Sequence, residues 1–199
     1  MKLKRIVIHS LVLMLIVFCI NQIDLPLAEW ISKFTEVHAT LIRTSNFPDL
    51  LLIFVTVTSS LSWILYFYFE LIGFNRIQSY FFKILGTVLP LAYLLKSVMK
   101  FLFGRTETRV WLDNPKLHGF HWFNGVDFYD GFPSGHMLVF TPVFLHCWYA
   151  YQKYRFIYPV AWLFLAIALI VTDYHFLADV LAGTYVGVML FYLVIKVVR

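Results

Sequence analysis

Charge is scarce in this chain of 199 residues. Lys, Arg, Asp and Glu together make up 14% of it, against 61% hydrophobic residues. A water-soluble domain of this length needs far more polar surface to cover its core, so the soluble classes are excluded and the long apolar runs read as membrane spans. Cysteine is nearly absent: Cys19 and Cys147 lie in different apolar segments. That excludes a disulfide scaffold and leaves two small buried thiols. A basic stripe is also missing. The net charge is +5, but Lys and Arg stand at the ends of apolar runs, which excludes nucleic acid as a partner. Internal repeats and low-complexity linkers are lacking. After Lys2, Lys4, Arg5 and the first apolar run, Asn21 to Pro26 offers no small-residue cleavage site, so the run is expected to stay as a signal anchor.

What is present is a series of six apolar segments, roughly 6–23, 50–71, 77–102, 137–151, 156–172 and 176–198. They predict an all-α, polytopic fold with six transmembrane helices in a single membrane-embedded domain spanning 1–199. Between the first two spans, Leu27, Trp30, Phe34, Val37 and Leu41 recur at helical spacing, with Pro26 near a helix start. This predicts an amphipathic helix lying in the interface. Orientation follows from the short loops. Lys2, Lys4 and Arg5, then Arg76, then Lys153 and Arg155, and finally Lys196 and Arg199 all fall on one side, which makes both termini cytoplasmic.

Lys100, Arg105, Arg109 and Lys116 fall on the other, outer side. They break the positive-inside pattern and require another reason. The outer segment from Gly104 to Phe132 is rich in aromatic residues, including Trp111, Trp122, Phe123 and Phe128. Two readings stand for it: an interfacial aromatic belt, or a lid over a headgroup site.

Three polar clusters interrupt the apolar chain, and all three fall on the outer side. The first runs from Lys100 through Gly104 and Arg105 to Arg109; its cations suit an anion, or snorkel to the interface. The second is Phe132-Pro133-Ser134-Gly135-His136. Pro and Ser fit a helix start, whose free N–H groups cradle phosphate, and Gly135 allows close backbone approach. The third joins His175 to Asp179. That i,i+4 spacing puts both on one helical face, either as a structural polar pair or as a carboxylate holding an imidazole in one tautomer for attack. Together they form a parts list for phosphoryl transfer without a metal. A zinc site from the two histidines and Asp179 is disfavoured, because the nearby cations repel it. His118 and His121 sit in the aromatic loop, Asp127, Asp130 and Asp173 near the mouth, and His9 and His146 read as structural.

These clusters resemble the type 2 phosphatidic acid phosphatase superfamily, which includes bacterial acid phosphatases and vanadium haloperoxidases. That family orders a Lys then Arg-Pro signature, then Pro-Ser-Gly-His, then Ser-Arg followed by His and, four residues on, Asp. Here Pro133 to His136 is intact, His175 and Asp179 are followed by Val180-Leu181-Ala182-Gly183, and Lys100 stands before Gly104-Arg105. By motif the resemblance covers about 100–183. It implies His175 as the residue that becomes phosphorylated, Asp179 as its orienting partner, and His136 as general acid and base. Lys100, Arg105, Ser134 and the Gly135 amide would hold the phosphate. Two positions depart from the pattern: Glu107-Thr108 stands at Arg-Pro, and Ala168-Leu169 at Ser-Arg. Arg109 is expected to replace a missing arginine, or Thr172 to supply a weaker hydrogen bond.

The resemblance implies a metal-independent phosphatase of membrane lipid phosphates. Substrates of that class are phosphatidate, phosphatidylglycerophosphate, isoprenyl diphosphate and lipid A-type molecules. No cofactor, metal or obligate protein partner is expected, and a bacterial inner membrane is the expected location. Two alternatives stay open: a phosphotransferase, and a catalytically weak lipid-phosphate binding or transport protein.

Overall fold

The computed structural model describes residues 2–35, 50–73 and 76–198. Its helices are α1 (Lys2–Phe18), α2 (Asp24–Thr35), α3 (Leu50–Ile72), α4 (Arg76–Phe103), α5 (Thr108–Asp113), α6 (Gly135–Ala150), α7 (Ile157–Val171) and α8 (Leu177–Val198). Among the described residues the one extended feature is an isolated antiparallel bridge between Arg105 and Phe120. The architecture of the described residues is all-helical, and among them four helices are long and apolar enough to cross a membrane: Leu3–Phe34, Leu50–Ile72, Arg76–Phe103 and Leu177–Val198.

The other two expected spans are helical but shorter. The 16 residues of α6 and the 15 of α7 rise about 24 and 22 Å, less than a hydrocarbon core of about 30 Å. The expected interfacial helix begins as a direct continuation of the first span. α1 passes through a π-helical stretch, Cys19–Ile23, into α2, which carries Leu27, Trp30 and Phe34. Val37 and Leu41 lie outside the described residues, as do Asn75 and Arg199 at the expected cytoplasmic side.

The chain forms two compact units. The first comprises Met1–Ile42, Met99–Ser134 and Ala166–Tyr185; the second comprises Arg43–Val98, Gly135–Leu165 and Val186–Arg199. In the first unit, Ile16, Cys19, Asp24, Ala28 and Ile31 are all buried. The five-residue step from Cys19 to Asp24 would break an α-helical stripe. The π turn, closed by the Asp24 N–H on the Cys19 carbonyl, brings the two back into line. Cys19 and Ile16 pack with Phe132, Ala178 and Ala182, and Ala28 packs with Trp111 and Phe176.

The second unit is organised by two prolines inside helices. Pro90 in α4 has no N–H for the Gly86 carbonyl one turn back. α3 supplies the missing donors: Ser59 Oγ at 2.9 Å and Trp63 Nε1 at 3.1 Å. Gly86 is needed here, because a Cβ would press to 3.0 Å on the Trp63 ring. Pro142 does the same to the Leu138 carbonyl in α6, and Gly187 of α8 packs there so closely that a Cβ would stand 3.1 Å from that oxygen. Remaining polar groups pair within the unit. Trp162 Nε1 donates to Thr141 Oγ1 at 3.2 Å, and His146 Nε2 donates to the Phe81 carbonyl at 3.0 Å, a structural placement.

The pairing around Pro90 is testable. Replacing Ser59 by Ala and Trp63 by Phe together orphans the Gly86 carbonyl, at a cost of about 1–3 kcal/mol. The thermal midpoint in detergent should fall, and adding Pro90→Ala, which returns a backbone donor, should restore part of it.

Candidate active site

The first unit gathers its charged groups at the start of α8. Four N–H groups at a helix N-terminus lack intrahelical acceptors, and here two carboxylates meet them. Asp179 Oδ2 accepts from the Phe176 N–H at 3.0 Å, reaching back over the first turn. Asp24 Oδ1, from the start of α2, accepts from the Ala178 N–H at 2.9 Å. Between the two carboxylates lies Arg105. Its Nη1 donates to Asp179 Oδ1 at 2.6 Å and its Nη2 to Asp24 Oδ2 at 2.7 Å. The guanidinium carbon sits 4.6 Å from the Phe176 ring and 5.4 Å from the Phe120 ring, a geometry that favours a cation. All three side chains are 1% exposed or less.

Arg105 is one of the residues expected to hold phosphate; in the structure two of its nitrogens bind carboxylates and the side chain is sealed from the surface. Asp24, which sequence reasoning missed, completes the arrangement. A carboxylate at the end of an apolar run is costly without a partner, and that was its one available signal.

His175 precedes α8 and is 3% exposed. Its Nδ1 lies 3.7 Å from Asp179 Oδ2, an ionic approach longer than a hydrogen bond. Burial pushes the imidazole below its ordinary range, Asp179 pulls it back, and Lys100 adds to the lowering. The backbone of His175 is anchored too. The N–H groups of Tyr174 and His175 both donate to the Leu169 carbonyl, at 3.0 and 3.1 Å. Leu169, at the position where the resemblance expects an arginine, thus serves the site through its main chain. Asp173, at φ 54°, makes the left-handed turn that ends α7. Its side chain is buried, Oδ1 has no hydrogen-bond partner among the described residues, and burial raises its carboxyl while Arg109 lowers it.

Arg109, also expected at phosphate, has its side chain at the end of α7. Its Nη2 and Nε reach the Thr172 carbonyl at 2.9 and 3.3 Å, a cation at a helix C-terminus, and its guanidinium lies 5.1 Å from the Tyr174 ring. Thr172 Oγ1 is turned inward onto the Ala168 carbonyl at 2.8 Å. Lys100, at the end of α4, pairs with Asp130 at 3.3 Å and is 14% exposed.

Ser134 is buried, and its N–H donates to the Asp179 carbonyl at 3.0 Å, so Ser134 meets the His-Asp turn within this unit. Gly135 and His136 belong to the second unit, as the first two residues of α6. Lys96 lies along Gly135 so closely that a Cβ would sit 2.9–3.0 Å from its stem, and His136 is half-buried. His121 Nε2 donates to the Leu117 carbonyl at 3.3 Å, and the exposed His118 lies 6.4 Å from the Trp111 ring. Exposed Trp122 and Phe123 pack beside Phe103 and Phe101, the last turn of α4.

The sequence matches the family model of the PAP2 superfamily over residues 81–199. The chain belongs to the PAP2 superfamily, and membership supports a phosphatase-type function in a membrane protein. No curated protein and no solved structure matches it. The matched region takes in Arg105, Ser134, His175 and Asp179, whereas Asp24 precedes it.

Gly104 gives a test of the loop that carries Arg105. It adopts φ 54°, and a Cβ there would overlap the His121 carbonyl oxygen. Gly104→Ala should sharply reduce the yield of folded protein in detergent, whereas Gly119→Ala, which meets no atom, should cost only about 1–3 kcal/mol, through its positive φ.

Proposed function

We propose that the protein hydrolyses the phosphate of a membrane lipid through a phosphohistidine on His175. The observation that carries the reading is the His175–Asp179 pair. The imidazole has one nitrogen facing a carboxylate, and that carboxylate is itself held by Arg105 and a helix N-terminus. In the first step the His175 Nε2 lone pair attacks phosphorus, and the bond to the lipid oxygen breaks. Positive charge grows on the ring and is met by Asp179. The departing oxygen takes a proton from His136, the residue to which family resemblance gives the acid–base part. Water then attacks phosphorus, His136 accepts its proton, and the P–N bond breaks to release inorganic phosphate. Lys100 is the phosphate-binding cation that this reading favours; burial, with a smaller contribution from Lys100, lowers the proton affinity of the His175 ring and so favours the neutral, attacking form. Ser134 and the Gly135 amide are assigned to phosphate as well.

The substrates in view are phosphatidate, phosphatidylglycerophosphate, isoprenyl diphosphate and lipid A-type phosphates. We place the protein in a bacterial inner membrane, with both termini cytoplasmic and the site outward. A second reading, a lipid-phosphate binding protein of weak activity, is favoured by Leu169 at an arginine position and by the commitment of Arg109 to Thr172.

Purified protein in detergent, given a panel of lipid phosphates with chelator present, should release phosphate. His175→Ala should abolish turnover, and full activity in that variant would exclude the mechanism. Neutral His175 is the attacking form and burial lowers its proton affinity. The acid limb of kcat/KM should therefore lie below about 6.5, the ordinary histidine value, and a separate alkaline limb should mark the loss of the His136 proton. An acid limb at or above the ordinary value would contradict the assigned ring environment.

A further inference from the structure

We infer that Asp24 and Arg105 are positioning residues that set the charge on Asp179, and through it the tautomer and basicity of His175. The inference rests on the phosphohistidine reading for its kinetic consequence. It stands on geometry in the first unit alone.

Charge balance carries the argument. Without Asp24, Arg105 and Asp179 would form a neutral pair, and the carboxylate would have little negative charge left to offer an imidazole. Asp24 changes the sum. Two carboxylates around one guanidinium leave one negative charge in excess, and Arg105 takes one oxygen from each, at 2.6 and 2.7 Å. The oxygens turned away from Arg105 are also assigned. Asp24 Oδ1 is taken by the Ala178 N–H, whereas Asp179 Oδ2, which accepts from the Phe176 N–H, is also the oxygen 3.7 Å from His175 Nδ1. The excess charge is therefore exposed to the imidazole on the side where positive charge grows during attack. In so dry an environment that placement is felt strongly. Nor can Arg105 turn to a phosphate without abandoning a buried carboxylate, which would leave an uncompensated charge. Asp24, at the start of α2, precedes the family-matched residues.

The test separates positioning from phosphate binding. Asp24→Asn is isosteric and keeps an oxygen for the Ala178 N–H. With the full-length protein in detergent, Asp24→Asn and Arg105→Lys should lower kcat by about 10- to 100-fold. KM and inhibition by inorganic phosphate should stay within about twofold. Weaker phosphate inhibition with kcat intact would make Arg105 a phosphate ligand and overturn the inference. A second measurement needs no turnover: 15N spectra of histidine-labelled protein, with the His175 signal assigned by its loss in His175→Ala. Wild type should show a single neutral tautomer with its proton on Nδ1, and Asp24→Asn should shift it toward a mixture. An unchanged signal overturns the inference even if the enzyme is active. If the signal shifts in a protein that releases no phosphate from any lipid, the hydrolase reading fails and the positioning role stands. Should Asp24→Asn not fold, Asp24→Glu takes its place: it keeps the excess charge, so the His175 signal should stay with the wild-type tautomer, and a shift to a mixture would overturn the inference.

Discussion

A guanidinium sealed from water must find acceptors for its charge and its donors at once, and few neighbours can supply both. Arg105 finds them in Asp24 and Asp179, between the rings of Phe120 and Phe176. The rest of the first unit is arranged around that demand. Gly104 turns the chain sharply enough to bring Arg105 inward. The Gly131 N–H holds the Arg105 carbonyl at 2.8 Å. The π stretch brings Asp24 onto the buried face, and the open end of α8 gives both carboxylates a further donor. Such an ion cluster is weak support for stability, because desolvation offsets much of its attraction. Its value here lies in fixing one carboxylate at one distance from one imidazole.

The second unit solves a related problem with uncharged groups. Its prolines free two carbonyls inside the apolar layer, where an unsatisfied acceptor is costly. Ser59 and Trp63 answer one, and the close approach of Gly187 packs the other. The glycines and the serine thus read as consequences of the prolines, and their placement gives neighbouring helices a fixed depth relative to each other.

Much of this was legible from local spacing. The i,i+4 step from His175 to Asp179 sufficed to place both at one helical end, and Pro133-Ser134-Gly135 marked where α6 begins. Apolar runs located all the helices with spans near the expected bounds, though α6 and α7 are shorter than a span requires. Partners distant in sequence stayed hidden. Nothing near Arg105 announces that its carboxylates come from residues 81 and 74 positions away, and its charge alone suggested an anion. The same holds for Arg109, whose contact with a helix end 63 residues on has no local signal. The helix expected at the interface was inferred from periodicity alone; in the structure the π stretch runs Leu27, Trp30 and Phe34 on from α1, a continuity that side-chain pattern does not encode.

The position of Asp24 at the start of α2 also bears on synthesis. Its guanidinium partner is made 81 residues later, and the amide that it caps 154 residues later. A nascent chain therefore carries this carboxylate long before its partners exist. The cluster around Arg105 closes only when the start of α8 has been made, so the first unit cannot be completed before that helix begins to emerge.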